Sequence, residues 1–236
     1  MIFVTSDIHG RSDMLWKLLE KAGFSQDRED RLYILGDVID RNQNGGVDIL
    51  KWIMDTPNVE LLLGNHEKML LEARWLFEDN GDMKLRSGMI KALDRWKHNG
   101  ADPTIRALRQ ETPEMRRRIL DHLSACALYK TVQVRDKTYV LVHGGLGNYA
   151  PNKDLSDYSD EELLWERPYL TTVYAPDEFT VILGHTPTVL YDKKGPSRML
   201  KTGSWWDIDT GAAYKDGCPM LLCLDPLLEY YVDDIS

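Results

Sequence analysis

The sequence predicts an α/β fold built on two sheets, and three observations carry that reading. Short runs of β-branched and aliphatic residues alternate with helical periodicity through the first half of the chain. A stretch from roughly Met83 to Leu123 then turns all-helical. The remainder breaks into short strands separated by turn residues.

Taken in order, Ile2–Thr5 is the first apolar run and reads as a buried strand. Ser12 offers a cap to a helix whose apolar stripe is Leu15, Leu18 and Leu19, and Gly23 lies beyond its end. Leu32–Leu35 is a second strand, Val47–Met54 a second helix and Val59–Leu63 a third strand, after which His66–Phe77 begins a longer helical stretch. Such alternation predicts βαβ units with right-handed crossovers. These bring the carboxyl ends of the strands to one edge of the sheet, where α/β ligand sites form. In the helical insertion, Asp102-Pro103 and Thr112-Pro113 each pair a cap with a proline at the first helical position. Tyr139–Val142 and Val181–Leu183 are further buried strands. Together with Thr131–Val134, Trp205–Asp209, Pro219–Asp225 and Glu229–Val232, the second half suggests a second sheet packed on the first.

Composition narrows the function classes. A 43% hydrophobic and 28% charged content suits a soluble chain with a full core rather than a disordered one. The formal net charge of −9 argues against general nucleic-acid binding, because a phosphate backbone is repelled by such a surface. One segment opposes the average: Lys84 to Arg118 carries ten Lys or Arg against four acids. No segment approaches about 18 uninterrupted apolar residues and no basic leader opens the chain, so a cytoplasmic protein without a membrane partner is expected. The three cysteines, Cys126, Cys218 and Cys223, lack Cys-x-x-Cys spacing and read as buried free thiols. The motifs below spread from Asp7 to His185, so residues 1–236 are expected to form one domain with the insertion at about 83–123.

Five motifs follow apolar runs: Asp7-Ile8-His9-Gly10, Gly36-Asp37-Val38-Ile39-Asp40-Arg41, Gly64-Asn65-His66-Glu67, His143-Gly144-Gly145 and Gly184-His185-Thr186. Singly, each aspartate is as readily a helix cap and each histidine a core or turn residue. As an ordered set at strand ends they supply the carboxylate, imidazole and amide ligands of a two-metal hydrolase. Divalent ions such as Mn²⁺, Fe²⁺ or Zn²⁺ take these ligands, and a dinuclear site needs a carboxylate placed to bridge. Asp37 is the candidate bridge, with Asp7 and His9 completing one ion and Asn65, His143 and His185 the other. His98 and His122 lie in the insertion without partner motifs and read as surface or core residues.

These residues resemble the metallophosphoesterase superfamily and, within it, the phosphoprotein phosphatase family, especially its small bacterial and phage-type Ser/Thr phosphatases. The resemblance runs from Asp7 to about Gly211. It implies a four-layer α/β/β/α sandwich of two mixed sheets flanked by helices, and two divalent ions, Mn²⁺ first with Fe or Zn as alternatives. The implied reaction is in-line attack of a metal-bridging hydroxide on a phosphomonoester. His66 would be the general acid, Asp40 would orient its imidazole, and Arg41 would grip the phosphoryl oxygens with Asn65 beside them. Trp165-Glu166-Arg167 matches a Trp-x-Arg element and makes Arg167 the second arginine. Three positions depart from the pattern: Ser6 and Asn42 stand where glycine is common, Asn42 being able to adopt a left-handed backbone, and Leu63 replaces a frequent arginine. Ile208-Asp209-Thr210-Gly211-Ala212 also resembles a segment of the bacterial branch, with Asp209 either supporting a metal histidine or closing a turn.

The expected substrate is phosphoserine or phosphothreonine in a protein. Alternatives are a symmetrical dinucleoside tetraphosphate, another small phosphoester, or, most remotely, a non-catalytic metal-binding scaffold. The basic insertion reads as a solvated charged face with Trp96 in the core; the alternative is that Trp96-Lys97-His98-Asn99-Gly100 suits a polyphosphate with stacked bases.

Overall fold

Each sheet is centred on strands that are apolar on both faces, a pattern that demands a covering layer on either side. The computed structural model describes residues 1–26, 29–78, 86–175, 177–192 and 197–232. In chain order the elements are β1 (Ile2–Thr5), α1 (Ser12–Ala22), β2 (Arg31–Ile34), α2 (Val47–Asp55), β3 (Val59–Leu61) and α3 (Asn65–Glu72). Next come the insertion helices α4 (Ser87–His98), α5 (Asp102–Gln110) and α6 (Pro113–Ala125). The remainder is β4 (Tyr129–Val134), β5 (Lys137–Val142), α7 (Asp160–Leu164), β6 (Thr180–Leu183), β7 (Leu200–Lys201), β8 (Trp205–Asp207), β9 (Met220–Cys223) and β10 (Leu228–Tyr231).

The first sheet has the order β10-β9-β1-β2-β3 and the second β4-β5-β6-β8-β7. Both are mixed. β1, β2 and β3 run parallel, as do β5, β6 and β8, and the other strands pair antiparallel at the sides. Because successive side chains point to opposite faces, each strand feeds two cores. Val4, Tyr33, Leu141, Ile182 and Leu222 meet between the sheets. Phe3, Leu32, Ile34 and Leu221 instead face α1 to α6 through residues such as Leu15, Ile49, Trp96 and Leu120. Val140, Val181 and Trp205 form the outer face of the second sheet and pack on Leu163 of α7 and on loop residues Leu146 and Tyr174. The expected four-layer sandwich is therefore present, with a heavy helical layer on one side and a thin one on the other.

Several expectations are corrected. β9 and β10 belong to the first sheet rather than the second, through the register Phe3↔Cys223 beside β1. β7 escapes sequence reading because two edge residues make no pattern. Ser12 does not cap α1; it is the first helical residue, and its Oγ donates to Gln43 Oε1 at 3.0 Å. Gly23 does close that helix, with φ 67°. The helix expected from His66 ends at Glu72 and gives way to a short 3₁₀ turn over Arg74–Leu76. Asp102 is the first residue of α5 rather than its cap, whereas Thr112 caps α6 by accepting from Met115 N. The expected start of the insertion at Met83, together with Lys84, lies outside the described residues. None of the three cysteines is in a disulfide; Cys223 is buried, whereas Cys126 and Cys218 are only half-buried. Among the described residues, no helix is long and apolar enough to cross a membrane.

One buried carboxylate fixes the turn that follows β2. Glu67, fully buried on α3, accepts from Asp37 N and Gly64 N through Oε2 (2.8 and 3.1 Å) and from Val38 N and Ile39 N through Oε1 (2.9 and 3.2 Å). Four backbone N–H groups are thereby satisfied where water has no access. Glu67→Gln turns one acceptor into a donor facing these N–H groups. Each oxygen serves two N–H groups, so at about 1–3 kcal/mol for each buried donor left unpaired the variant is expected to lose roughly 2–6 kcal/mol. Its Tm should fall by roughly 5–20 °C in thermal melts, and a shift within about 2 °C of the parent contradicts this role for Glu67.

Candidate active site

The carboxyl ends of the two parallel strand sets converge on one cleft, the position where open α/β sheets form ligand sites. Asp7 and His9 follow β1, and Asp37, Asp40 and Arg41 follow β2. Asn65 and His66 open α3 directly after β3, His143 follows β5, and His185 follows β6. The cleft has a volume of ≈ 320 Å³ and is lined by Asp7, His9, Asp37, Arg41, Asn65, His66, Arg167 and His185, among others. Asp40 and His143 are fully buried but contact residues that line it. The structure thus brings together all ten residues singled out from the sequence.

The backbone is bent hard to achieve this. Asp7, His9, Asp37, Asp40, Arg41 and His185 all have positive φ, between 46° and 76°. Non-glycine residues hold this region at a cost of about 1–3 kcal/mol each, and they persist where surrounding structure over-determines them. Glycine supplies the closest approach: Gly36, at φ 89°, packs so near Gly64 that a Cβ would strike its Cα and N. Ser6 is well used: its hydroxyl donates to Asp7 Oδ2, which also accepts from His185 N at 2.9 Å. Asn42 is not left-handed; Asp40, Arg41 and Gln43 around it are. Its amide instead donates to His9 O and Ala212 O, at 3.0 and 3.1 Å.

Two buried clusters can hold cations, His9-Asp37-His66 and Asp37-His143-His185. Asp37 is common to both, and its two oxygens face different sides. Oδ2 lies 3.7 Å from His9 Nε2 and 3.8 Å from His66 Nε2, while Oδ1 lies 3.5 Å from His143 Nε2. Backbone carbonyls fix two of the rings: His9 Nδ1 donates to Ile39 O and His143 Nδ1 to Leu35 O, at 2.9 and 2.7 Å. In the neutral imidazole this leaves each Nε2 as a lone pair turned to the cluster. His143 Nε2 and His185 Nδ1 stand 2.8 and 3.0 Å from Asn65 Oδ1, and the buried His185 Nε2 has no partner among the described residues. Acceptor atoms converging with too few protons between them fit a pair of divalent cations.

The electrostatics point the same way. Burial, followed by the charges of Asp7 and Glu67, pushes the Asp37 carboxyl well above its ordinary value. Burial likewise raises Asp7 and Asp209. His9, His66 and His185 are pushed well below theirs, chiefly by burial, and His143 is lowered too. Neutral imidazoles beside carboxylates short of positive charge make a set that bound cations complete. Asp7 belongs to neither cluster although it lines the cleft, whereas His66, read from the resemblance as an acid, sits in the first.

His66 Nδ1 is 2.6 Å from Asp40 Oδ2. Two insertion residues complete the carboxylate's partners: Thr104, which nothing in the sequence singled out, and Trp96, which the sequence offered either as a core residue or as a base-stacking one. Trp96 Nε1 donates to Oδ2 at 2.7 Å and Thr104 Oγ1 to Oδ1 at 2.5 Å. Burial raises the Asp40 carboxyl to about 7, against the pull of these two donors. Trp96 is fully buried, which rules out its stacking on a nucleobase, and the insertion forms part of the site's support. Arg41 donates its backbone N–H to Gly100 O at 2.9 Å, and its Nη2 is 3.4 Å from His66 Nε2. Arg167 Nη1 donates to Thr186 Oγ1 at 3.0 Å and His185 O at 3.3 Å. Asp209 closes a turn by accepting from Gly211 N at 2.8 Å and lines the cleft, rather than supporting a histidine. His98 is exposed, with Nδ1 on Asp94 O, and His122 is half-buried; neither lines the cleft.

Two facing mixed sheets that deliver Asp, His and Asn to a cleft with two clusters able to hold cations form a metallophosphoesterase-type centre. Residues 1–219 match the calcineurin-like phosphoesterase family, and the chain belongs to it. A symmetrical bis(5'-nucleosyl)-tetraphosphatase of Acidovorax sp. strain JS42 is 33% identical over 94 residues, 40% of this chain and 33% of that protein. The enzyme of the same name from Buchnera aphidicola subsp. Baizongia pistaciae is 29% identical over 93 residues, 39% of this chain and 33% of that protein. The chain thus aligns with about a third of the length of these relatives. Among solved structures, a putative diadenosine tetraphosphatase superimposes with TM-score 0.64 at 16% identity, covering 97% of this chain and 90% of that one. A Saccharomyces cerevisiae Ser/Thr phosphatase with similarity to human PP5 gives 0.58 at 18% identity, covering 87% and 65%. At such identities the superpositions speak for the fold.

Trp96→Phe keeps an aromatic ring in the core but removes the donor to Asp40. Loss of a donor to the charged form moves that carboxyl further above about 7. An acid whose folded pKa is raised is penalised in its ionised form, so the deficit of the variant against the parent must grow as pH rises through 7. The difference should approach about 1.5–3 kcal/mol on the alkaline side. Denaturant melts of chelated protein across pH 5–9 check this; a deficit independent of pH contradicts it.

Proposed function

We propose that this protein is a metal-dependent hydrolase that cuts dinucleoside tetraphosphates symmetrically. The observation that carries the hydrolytic reading is Asp37 shared by two buried clusters, with Arg41 and Arg167 lining the same cleft. The substrate reading is supported by the curated relatives, which are named as symmetrical bis(5'-nucleosyl)-tetraphosphatases. They favour the first of the sequence-based alternatives, a symmetrical dinucleoside tetraphosphate, over phosphoserine or phosphothreonine in a protein.

Asp7, His9, Asp37, Asn65, His143 and His185 are proposed to hold two divalent ions, manganese first with iron or zinc as alternatives. When bound, these would activate water and offset phosphoryl charge. Arg41 and Arg167 offer planar guanidinium groups suited to bidentate contact with phosphoryl oxygens. Lining the same cleft, they would hold the reacting phosphorus there, with the Asn65 amide beside it. Asp40 accepts a hydrogen bond from the Nδ1–H of His66 and so turns Nε2 toward the cleft, the orientation needed for protonating a leaving oxygen. A bound polyphosphate brings negative charge to Nε2 and favours the imidazolium, so the substrate itself promotes the acid form. No nucleic-acid or membrane partner is proposed.

The test compares diadenosine tetraphosphate with a phosphothreonine peptide on Mn²⁺-reconstituted protein, with a chelator control. The expected result is at least tenfold preference for the dinucleotide and ADP as the only nucleotide product; preference for the peptide restores the protein phosphatase reading. His66→Ala is expected to lower kcat on a phosphothreonine peptide by about 10²–10⁴-fold. The loss on the dinucleotide should be smaller, because a diphosphate leaves with less need of a proton than an alkoxide. Metal content should be retained, and loss of an ion makes His66 a ligand instead.

A further inference from the structure

The cleft carries an aromatic ring that the chemistry above does not use. Tyr214 lines it together with Asp7, His9 and Asp37, yet 47% of the residue remains exposed. The other large aromatic side chain there, Trp165, is committed elsewhere: it stacks edge-on against His185 at 5.8 Å and lies beneath Arg95 at 5.7 Å. Tyr214 meets no aromatic ring or cation in this way among the described residues. Its ring lies over Gly211, where a Cβ would meet Cδ2 at 3.4 Å.

The loop that bears the ring is tied down. Arg11 Nη2 donates to Tyr214 O and Lys215 O at 2.8 and 3.0 Å, and Arg11 Nε to Ala212 O at 3.3 Å. Asn42 adds its bond to Ala212 O while holding His9 O. Tyr214 N donates to Gly211 O at 2.9 Å, and Gly211 N to Asp209 Oδ1 at 2.8 Å. An exposed aromatic side chain on a mobile loop would be ordinary surface; here the backbone is clamped to the turns bearing His9 and Arg41. A fixed aromatic platform costs little further entropy when a flat ligand ring settles on it.

We propose that Tyr214 is a specificity-determining residue that stacks on a nucleobase of the substrate, and that Arg11 is the positioning residue that holds it over the cleft. This rests on the dinucleotide reading above. A polyphosphate placed between the arginines and the clusters carries its nucleosides outward, and an aromatic platform accepts any base because every base has a π-face. The platform gives the site a means of preferring nucleotides over bare phosphate chains with the same hydrolytic residues.

The experiment measures kcat and KM for Mn²⁺-loaded parent, Tyr214→Ala, Tyr214→Phe, Arg11→Met and Arg11→Lys. Two probes are used, diadenosine tetraphosphate and inorganic tetrapolyphosphate, a chain of equal phosphate number without bases. In Tyr214→Ala, the ratio of kcat/KM for dinucleotide over tetrapolyphosphate should fall about tenfold, within the range for losing one stacked base. The change should sit in KM. Tyr214→Phe should restore the ratio. Arg11→Met should lower it in the same direction, with Arg11→Lys recovering part. Equal losses on both probes, or an unchanged ratio, overturn the inference while leaving the dinucleotide reading intact. A parent protein that does not turn over diadenosine tetraphosphate overturns both.

Discussion

Asp37 is 2% exposed between two sheets, with Asp7 and Glu67 near enough to raise its pKa and the Nε2 atoms of His9, His66 and His143 within 3.8 Å. A buried ion without a compensating partner costs several kcal/mol, and none of these neutral rings provides a full positive charge. The two clusters that share the carboxylate would supply that charge if each held a cation. Much else in the site serves that condition. Backbone carbonyls of Leu35 and Ile39 fix the tautomers of His143 and His9, and Glu67 anchors the turn from which Asp37 projects.

The fold meets the condition by topology. Two parallel triplets, β1-β2-β3 and β5-β6-β8, end at one cleft, so short loops deliver ligand-type side chains from five strand ends without long excursions. Each loop must then turn sharply just beyond its strand. Positive φ at Asp7, His9, Asp37 and His185, and the near contact of Gly36 with Gly64, are the conformational consequences. The insertion helices contribute too: Trp96 and Thr104 surround Asp40 with donors, which sets the charge and orientation of the carboxylate that faces His66.

Much of this was legible in the sequence because strand ends announce themselves. An apolar run stopped by Asp7, Asp37, Asn65, His143 or His185 shows both the strand and the group it presents, and β1 was placed at Ile2–Thr5 as observed. What could not be read depends on distant pairing. Trp96 and Thr104 reach Asp40 across 56 and 64 residues, and nothing near them in the chain signals a carboxylate. β9 reads as a strand, but its place beside β1 depends on pairing Phe3 with Cys223. Asn42 was expected to carry the left-handed turn by its residue type, while strain fell on Asp40 and Arg41, whose φ values no propensity foretells. Trp96 shows a choice the sequence left open. Its basic surroundings also allowed a nucleotide contact, and the hydrophobic core claimed it, in agreement with the reading of a core residue beneath a charged face.

The most direct measurement is the metal content of parent and Asp37→Asn after reconstitution with Mn²⁺, determined by elemental analysis of protein shown by circular dichroism to be folded. Two ions per chain are expected in the parent and the loss of both in the variant, since Asp37 is common to both clusters. A parent that binds a single ion, or a folded variant that keeps two, contradicts it.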